Sequence, residues 1–189
     1  VPDSVDLTDN QRRVFDVMRS GKPQLLDGLD DLDRVTWPAY YLDFETVSPV
    51  LPWFAGDAPG EQHTFQYSIH VCEAVGEVSS HHEYLAGSTG DWRRALVEQM
   101  LADLGERGSV IVFTNFEEKR LEEMAALFPD LALRLAAVIA RLFDLNDVIK
   151  RGYCHPQFKG STSIKKVLPV MVPELAYAGM AIAEGQSAS

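Results

Sequence analysis

Apolar and polar positions alternate most sharply over Tyr40–Thr46. Successive side chains of a strand point to opposite faces. Tyr40, Leu42 and Phe44 therefore share one face, and Tyr41, Asp43 and Glu45 the other. A second alternation spans His63–Cys72, with Phe65, Tyr67, Ile69 and Val71 against Thr64, Gln66, Ser68 and His70. Val78–Leu85 reads as a third strand after a turn at Gly76. His81 and His82 lie in it on opposite faces, as surface histidines that cannot share a metal. Ser109–Phe113, with four apolar residues, carries the signature of a strand covered on both faces. Arg141–Leu145 reads as a short fifth strand.

Helical spacing appears elsewhere. Thr8–Arg19 predicts a helix opened by a Thr8/Gln11 capping box. Asp91–Leu104 predicts a helix capped by Asp91, with Leu96, Val97, Met100, Leu101 and Leu104 on its apolar side. Asn115 with Glu118 predicts a capping box opening a helix to about Phe128, followed by another from Leu131 to Ile139. Ser163–Leu168 begins a further helix, stopped by Pro169 and Pro173. Asp27–Asp33 reads as a solvated turn or short helix, and Trp37-Pro38 as extended. Val47–Gln62, rich in Pro and Gly, is a long loop. Its Trp53 and Phe54 either plug the core edge or offer a stacking platform to a nucleobase.

Three strands joined by short turns, then strands joined by helices, predict an α/β mixed sheet. An antiparallel three-strand meander is extended by parallel strands and flanked by helices. Residues 1–36 form a helical lead-in and 37–189 the main domain.

The 189 residues suffice for a sizeable core, and 46% hydrophobic with 24% charged residues is ordinary globular composition. No apolar run approaches the roughly 20 residues of a membrane span, and no signal peptide opens the chain. No membrane partner and a cytoplasmic location are expected. The chain starts at Val1 rather than Met, so a fragment or a processed chain is expected. Cys72 and Cys154 form no close pair and read as free thiols.

The net charge of −11 argues against a general polyanion binder. Charge placement qualifies this. Val148–Pro173 contains no Asp or Glu but carries Lys150, Arg151, Lys159, Lys165, Lys166 and His155, the pattern of a local anion site or of a chance fluctuation.

Acids on a half-apolar strand are unusual. Asp43 and Glu45, about 7 Å apart along the strand, read either as solvated acids or as ligands for a hard divalent cation. Ligands of open α/β sheets gather at the carboxyl ends of adjacent parallel strands. A central Tyr40–Thr46 strand beside Ser109–Phe113 brings Glu117 to the same end. Glu117 also reads as a first-turn acid favouring the helix dipole. Three carboxylates without a counter-ion would repel one another, a cost that Mg²⁺ or Mn²⁺ removes.

With these residues in view, Leu42-Asp43-Phe44-Glu45-Thr46 resembles the first motif of the DnaQ-like (DEDD) 3′–5′ exonucleases. Asn115-Phe116-Glu117 resembles their second motif, with Glu in place of Asp, a longer arm that alters metal spacing. Phe143-Asp144-Leu145 and Ser163–Leu168 resemble the later strand and helix of that RNase H-like fold. More closely, the chain is similar to a bacterial domain of unknown function, number 2779, often fused to a RecB-like nuclease domain. Tyr41–Thr46, Phe65–His70, Asn115–Glu117 and Gly160–Pro169 carry that similarity.

The resemblance implies a metal-dependent nuclease, a 3′–5′ exonuclease on DNA or RNA using two divalent ions, Mg²⁺ or Mn²⁺. It makes Asp43, Glu45 and Glu117 catalytic metal ligands and Asp144 a secondary acid. Thr46, Gln66, Asn115, Lys159, Ser161, Lys165 and Lys166 become candidates for substrate binding. It implies nucleic acid, single-stranded or at a 3′ end, and a fused RecB-like nuclease domain as partners. The family's fourth acid has no matching motif here, so it is expected beyond Ser189, with the domain truncated before its last catalytic helix and an incomplete, weakly active ligand set. The competing expectation is a degenerate nuclease fold that binds nucleic acid or protein.

Overall fold

A computed structural model describes residues 5–175 of the chain. Its elements in chain order are α1 (Asp9–Ser20), β1 (Gln24–Leu25), a 3-10 helix (Asp27–Arg34), β2 (Ala39–Val47), β3 (His63–Ala74) and β4 (Glu77–Leu85). Then come α2 (Arg93–Asp103), β5 (Ser109–Val112), α3 (Phe116–Leu127), α4 (Ala132–Ile139), β6 (Leu142–Asp144) and α5 (Leu145–Gly152). β7 (Tyr153–Cys154), a 3-10 turn (Pro156–Phe158), α6 (Ile164–Met171) and a last 3-10 turn (Pro173–Leu175) complete them. The chain divides into two compact units, residues 35–144 and, among the described residues, 5–34 with 145–175. The N-terminal lead-in thus does not stand alone, because the segment after Asp144 builds onto it.

The larger unit holds a five-stranded sheet in the order β4-β3-β2-β5-β6. β4, β3 and β2 are antiparallel neighbours; β5 and β6 run parallel to β2. This is the mixed α/β sheet expected, flanked by helices and compatible with an RNase H-like fold. The alternation along β2 and β3 buries Tyr40, Leu42, Phe44, Tyr67, Ile69 and Val71. That face packs on Leu96, Val97, Met100 and Leu104 of the α2 region, Leu121 of α3 and Leu135 of α4. All four residues of β5 are buried, which explains why its sequence is a continuous apolar run rather than an alternating one. Gly108, at φ +87°, has no room for a side chain: a Cβ there would lie 1.9 Å from the Pro38 carbonyl oxygen. This close approach seats the start of β5 against β2. The Trp37-Pro38 peptide is cis.

The smaller unit is held by α1, the 3-10 helix, α5 and the β1–β7 antiparallel pair. The Thr8/Gln11 capping box is present, and Gly21 closes α1 in the left-handed conformation. Gly28 lies so close to α5 that a Cβ would meet the Arg151 Cβ at 2.7 Å.

Four local readings change. Asn115 flanks α3 without a side-chain cap, so the expected Asn115/Glu118 box is absent. The Thr114 hydroxyl accepts from Phe116 N–H at 3.3 Å instead. Asp91 sits one residue before the α2 flank yet still accepts from Arg93 N–H at 3.1 Å. Pro169 lies inside α6 rather than ending it. α5 begins where the short fifth strand was expected to finish, at Leu145. Both cysteines are free and buried. No helix among the described residues is long and apolar enough to cross a membrane.

Candidate functional site

Parallel pairing decides where the acids meet. β2, β5 and β6 point their carboxyl ends the same way. Asp43 and Glu45 occupy the end of β2, Asp144 the last position of β6, and Glu117 the first turn of α3 just after β5. Across the antiparallel edge, Ser68 stands opposite Asp43 and Gln66 opposite Glu45, so both share the face of the acids.

The electrostatics carry the imprint of that convergence. Glu117 is 4% exposed, and its Oε2 has no hydrogen-bond partner among the described residues. Burial raises its pKa to about 7; its backbone hydrogen bond opposes the rise, and the charges of Asp43 and Asp144 add to it. Asp43 opens to solvent on one side but is hemmed in by protein on others. Desolvation raises its pKa against a hydrogen bond with the Phe44 backbone. Glu45 is raised by desolvation and by the charge of Asp43. Carboxylates repelling one another in a half-dry setting have the character of a site that accepts positive charge.

The turn that presents Glu117 is strained. Thr114 has φ +100°, a region that a β-branched residue seldom enters. Its N–H donates to Asp144 Oδ1 at 2.9 Å, and its hydroxyl caps Phe116. Asp144 therefore acts on the site through the backbone as well as through its charge.

One turn along α3, Arg120 is buried with its Nε unpartnered. It donates to Gln62 Oε1 at 2.6 Å and to Glu123 Oε1, and Gln62 in turn donates to Thr46 Oγ1 at 2.6 Å. This relay ties α3, the end of β2 and the 48–62 loop together. The loop is pinned a second time by buried Asp57, whose carboxylate lies 3.0 Å from His63 Nε2 and accepts from Phe54 N–H and from Arg93. Neither Arg120 nor Gln62 stands out in the sequence. Only the three-residue spacing from Glu117, one helical turn, signals that Arg120 faces the same way.

Of the other expected residues, Thr46 and Gln66 lie beside the acids and Asn115 is exposed at the α3 flank. Lys159, Ser161, Lys165 and Lys166 are exposed and belong to the smaller unit. Phe54 packs edge-on to Trp92 at 5.2 Å and to His63 at 5.3 Å, with the Arg93 guanidinium 3.7 Å above its ring. It plugs the core edge. Trp53 meets Trp92 at 5.8 Å yet stays 52% exposed, on a cavity of about 570 Å³ shared with Phe65 and Val47.

The donor set tests whether a hard cation fits. Carboxylate oxygens are the right chemistry, and the orphaned Glu117 Oε2 lacks a partner that a cation would supply. Among the described residues, no three His, Cys, Asp or Glu side chains are arranged to hold a metal by themselves. Mg²⁺ commonly keeps several waters and is held by one or two carboxylates together with substrate phosphates, so the fit is to an open site rather than a closed cage.

Sheet and acids together describe an α/β protein compatible with an RNase H-like fold, with carboxylates gathered at the ends of its parallel strands. The chain belongs to the family described as Domain of unknown function (DUF2779), which matches residues 40–163. It is similar to the uncharacterized protein UU173 of Ureaplasma parvum serovar 3, at 25% identity over 150 residues and 71% of this chain. The chain spans 21% of that relative's length. No solved structure matches it significantly.

Proposed function

We propose that this domain is a metal-dependent nuclease, a 3′–5′ exonuclease of the DnaQ-like type on DNA or RNA, working in the cytoplasm beside a fused RecB-like nuclease domain. The observation that carries the reading is Glu117: buried, with one carboxylate oxygen unpartnered, and titrating near neutrality under the influence of Asp43 and Asp144. Asp43, Glu45 and Glu117 would hold Mg²⁺ or Mn²⁺. When bound, such ions supply an acidified water and charge stabilisation at the scissile phosphodiester. The chain's own contribution is positional. Asp144 and Thr114 fix the turn that aims Glu117, and the Arg120–Gln62–Thr46 relay holds the 48–62 loop over the end of β2.

A second reading, a degenerate nuclease fold that binds nucleic acid or protein, is favoured by the lack of a ready three-ligand arrangement among the described residues. Calorimetry with Mn²⁺ and a single-stranded oligonucleotide release assay separate the two. The nuclease reading expects Mn²⁺ binding that Asp43→Asn abolishes, with Mn²⁺-dependent nucleotide release lost in the same variant. Equal Mn²⁺ affinity in the wild type and Asp43→Asn refutes it. Oligonucleotide binding without metal binding supports the second reading.

A further inference from the structure

A cleft in the smaller unit has a different chemistry from the carboxylate cluster. It lies between α1 and the segment 150–162 and has a volume of about 220 Å³. Its polar wall comprises Asn10, Arg13, Lys150, Tyr153, Ser161 and Thr162, and no acid among the described residues lines it. That is unusual in a chain of net charge −11. The cleft draws on the acid-free tract Val148–Pro173, which the carboxylate site does not use.

Arg13 is the decisive residue. It is half-buried, and among the described residues its guanidinium donates only to neutral oxygens, Asn10 Oδ1 at 2.6 Å and the Lys150 carbonyl at 3.0 Å. Its Nε is shielded from solvent and has no partner among the described residues. No carboxylate among the described residues forms an ion pair with it. A guanidinium is charged at all relevant pH, and a half-buried charge without a counter-ion gives up part of its hydration uncompensated. Among the described residues Lys150 has only a surface pair with Asp147 at 3.1 Å, an interaction of small worth. Lys159 and Gly160, at φ +51° and +77°, turn the chain back toward α1, so that Ser161 and Thr162 reach the cleft.

We propose that this cleft binds one phosphate group, with Arg13 as its main charge and Lys150, Ser161 and Thr162 as further donors. Arg suits phosphate because its planar fork donates two parallel hydrogen bonds. The cavity is below the roughly 300–1,000 Å³ of sites for drug-sized ligands, which fits a single small anionic group. The proposal is independent of the nuclease reading.

The test is calorimetric titration of inorganic phosphate into the chain at fixed ionic strength. One saturable site is expected, weakened about tenfold or more in Arg13→Gln, the loss of a charged hydrogen bond, and weakened less in Arg13→Lys, which keeps the charge but loses the fork. Should Arg13→Gln not fold, Lys150→Gln, altered at an exposed side chain, is expected to weaken binding by about threefold or more. No saturable binding, or unchanged affinity in the variants that fold, overturns the proposal. Competition identifies the source. Displacement of phosphate by a 5′-phosphorylated oligonucleotide, but not by its unphosphorylated counterpart, assigns the site to a polynucleotide end. No displacement by either assigns it to free phosphate.

Discussion

Asp144 Oδ1 accepts the backbone N–H of Thr114 at 2.9 Å, and this one bond couples the end of β6 to the turn that carries Glu117. The acceptor and the strained residue lie 30 positions apart in sequence. Removing the acceptor leaves a donor in a strained turn to find another partner. Asp144→Ala is expected to lower unfolding free energy by about 1–3 kcal/mol, measured by urea denaturation. Asp144→Asn, which keeps an acceptor oxygen, should lose less. An equal loss in both would mean that charge, not the turn, is what Asp144 contributes.

Glu117 predicts the pH dependence. Its pKa in the fold is raised to about 7, above its ordinary carboxyl value. Between these values the folded state binds more protons than the unfolded one, so stability falls as pH rises through that window and does not recover above it. Glu117→Gln should therefore stabilise the protein at pH 8 by up to about 3 kcal/mol and change little at pH 4. Paired thermal melts at the two pH values check this. A variant equally stabilised at both would contradict it.

Metal linkage follows from the same acid. A cation competing with the proton on Glu117 should raise Tm more at pH 8 than at pH 5, because at pH 5 the carboxyl is already neutral. Differential scanning fluorimetry with and without Mn²⁺ reads the difference directly. A pH-independent rise would point away from Glu117.

Gln62 is the middle of the Thr46–Gln62–Arg120 relay. Gln62→Ala leaves buried Arg120 short of a partner, an effect of about 1–3 kcal/mol. It should also speed limited proteolysis within 48–62, with cleavage elsewhere unchanged. Cleavage at the wild-type rate would show that the Asp57 anchor alone holds the loop.

Trp53 and Trp92 should part company. Trp53 is half exposed and Trp92 packs against the core. Trp53→Ala is expected to cost less than about 1 kcal/mol, and Trp92→Ala about 3 kcal/mol. On the nuclease reading, Trp53→Ala should nonetheless weaken oligonucleotide binding severalfold, since stacking one base is worth about 1–3 kcal/mol. Unchanged affinity would leave Trp53 as packing alone.

The sequence by itself determined the five strands of the main sheet, most helices and the class of that sheet, but not the short β1–β7 pair. Those rest on local periodicity: the alternation at Tyr40–Phe44, the apolar run at Ser109–Val112, and the Thr8/Gln11 cap. It also singled out Asp43 and Glu45, because acids in an apolar strand break the local pattern, and Glu117, because the expected strand pairing brings it to the same end. The expected pairing of β5 beside β2, which sets Glu117 near Asp43, is present; tertiary structure alone decided that Asp144 serves the Thr114 turn. It decided, too, that Gln62 bridges Thr46 and Arg120, and that the chain after Asp144 builds onto α1 to make the Arg13 cleft. Contacts between residues tens of positions apart depend on how elements pack, and neither hydrophobic period nor capping chemistry encodes them.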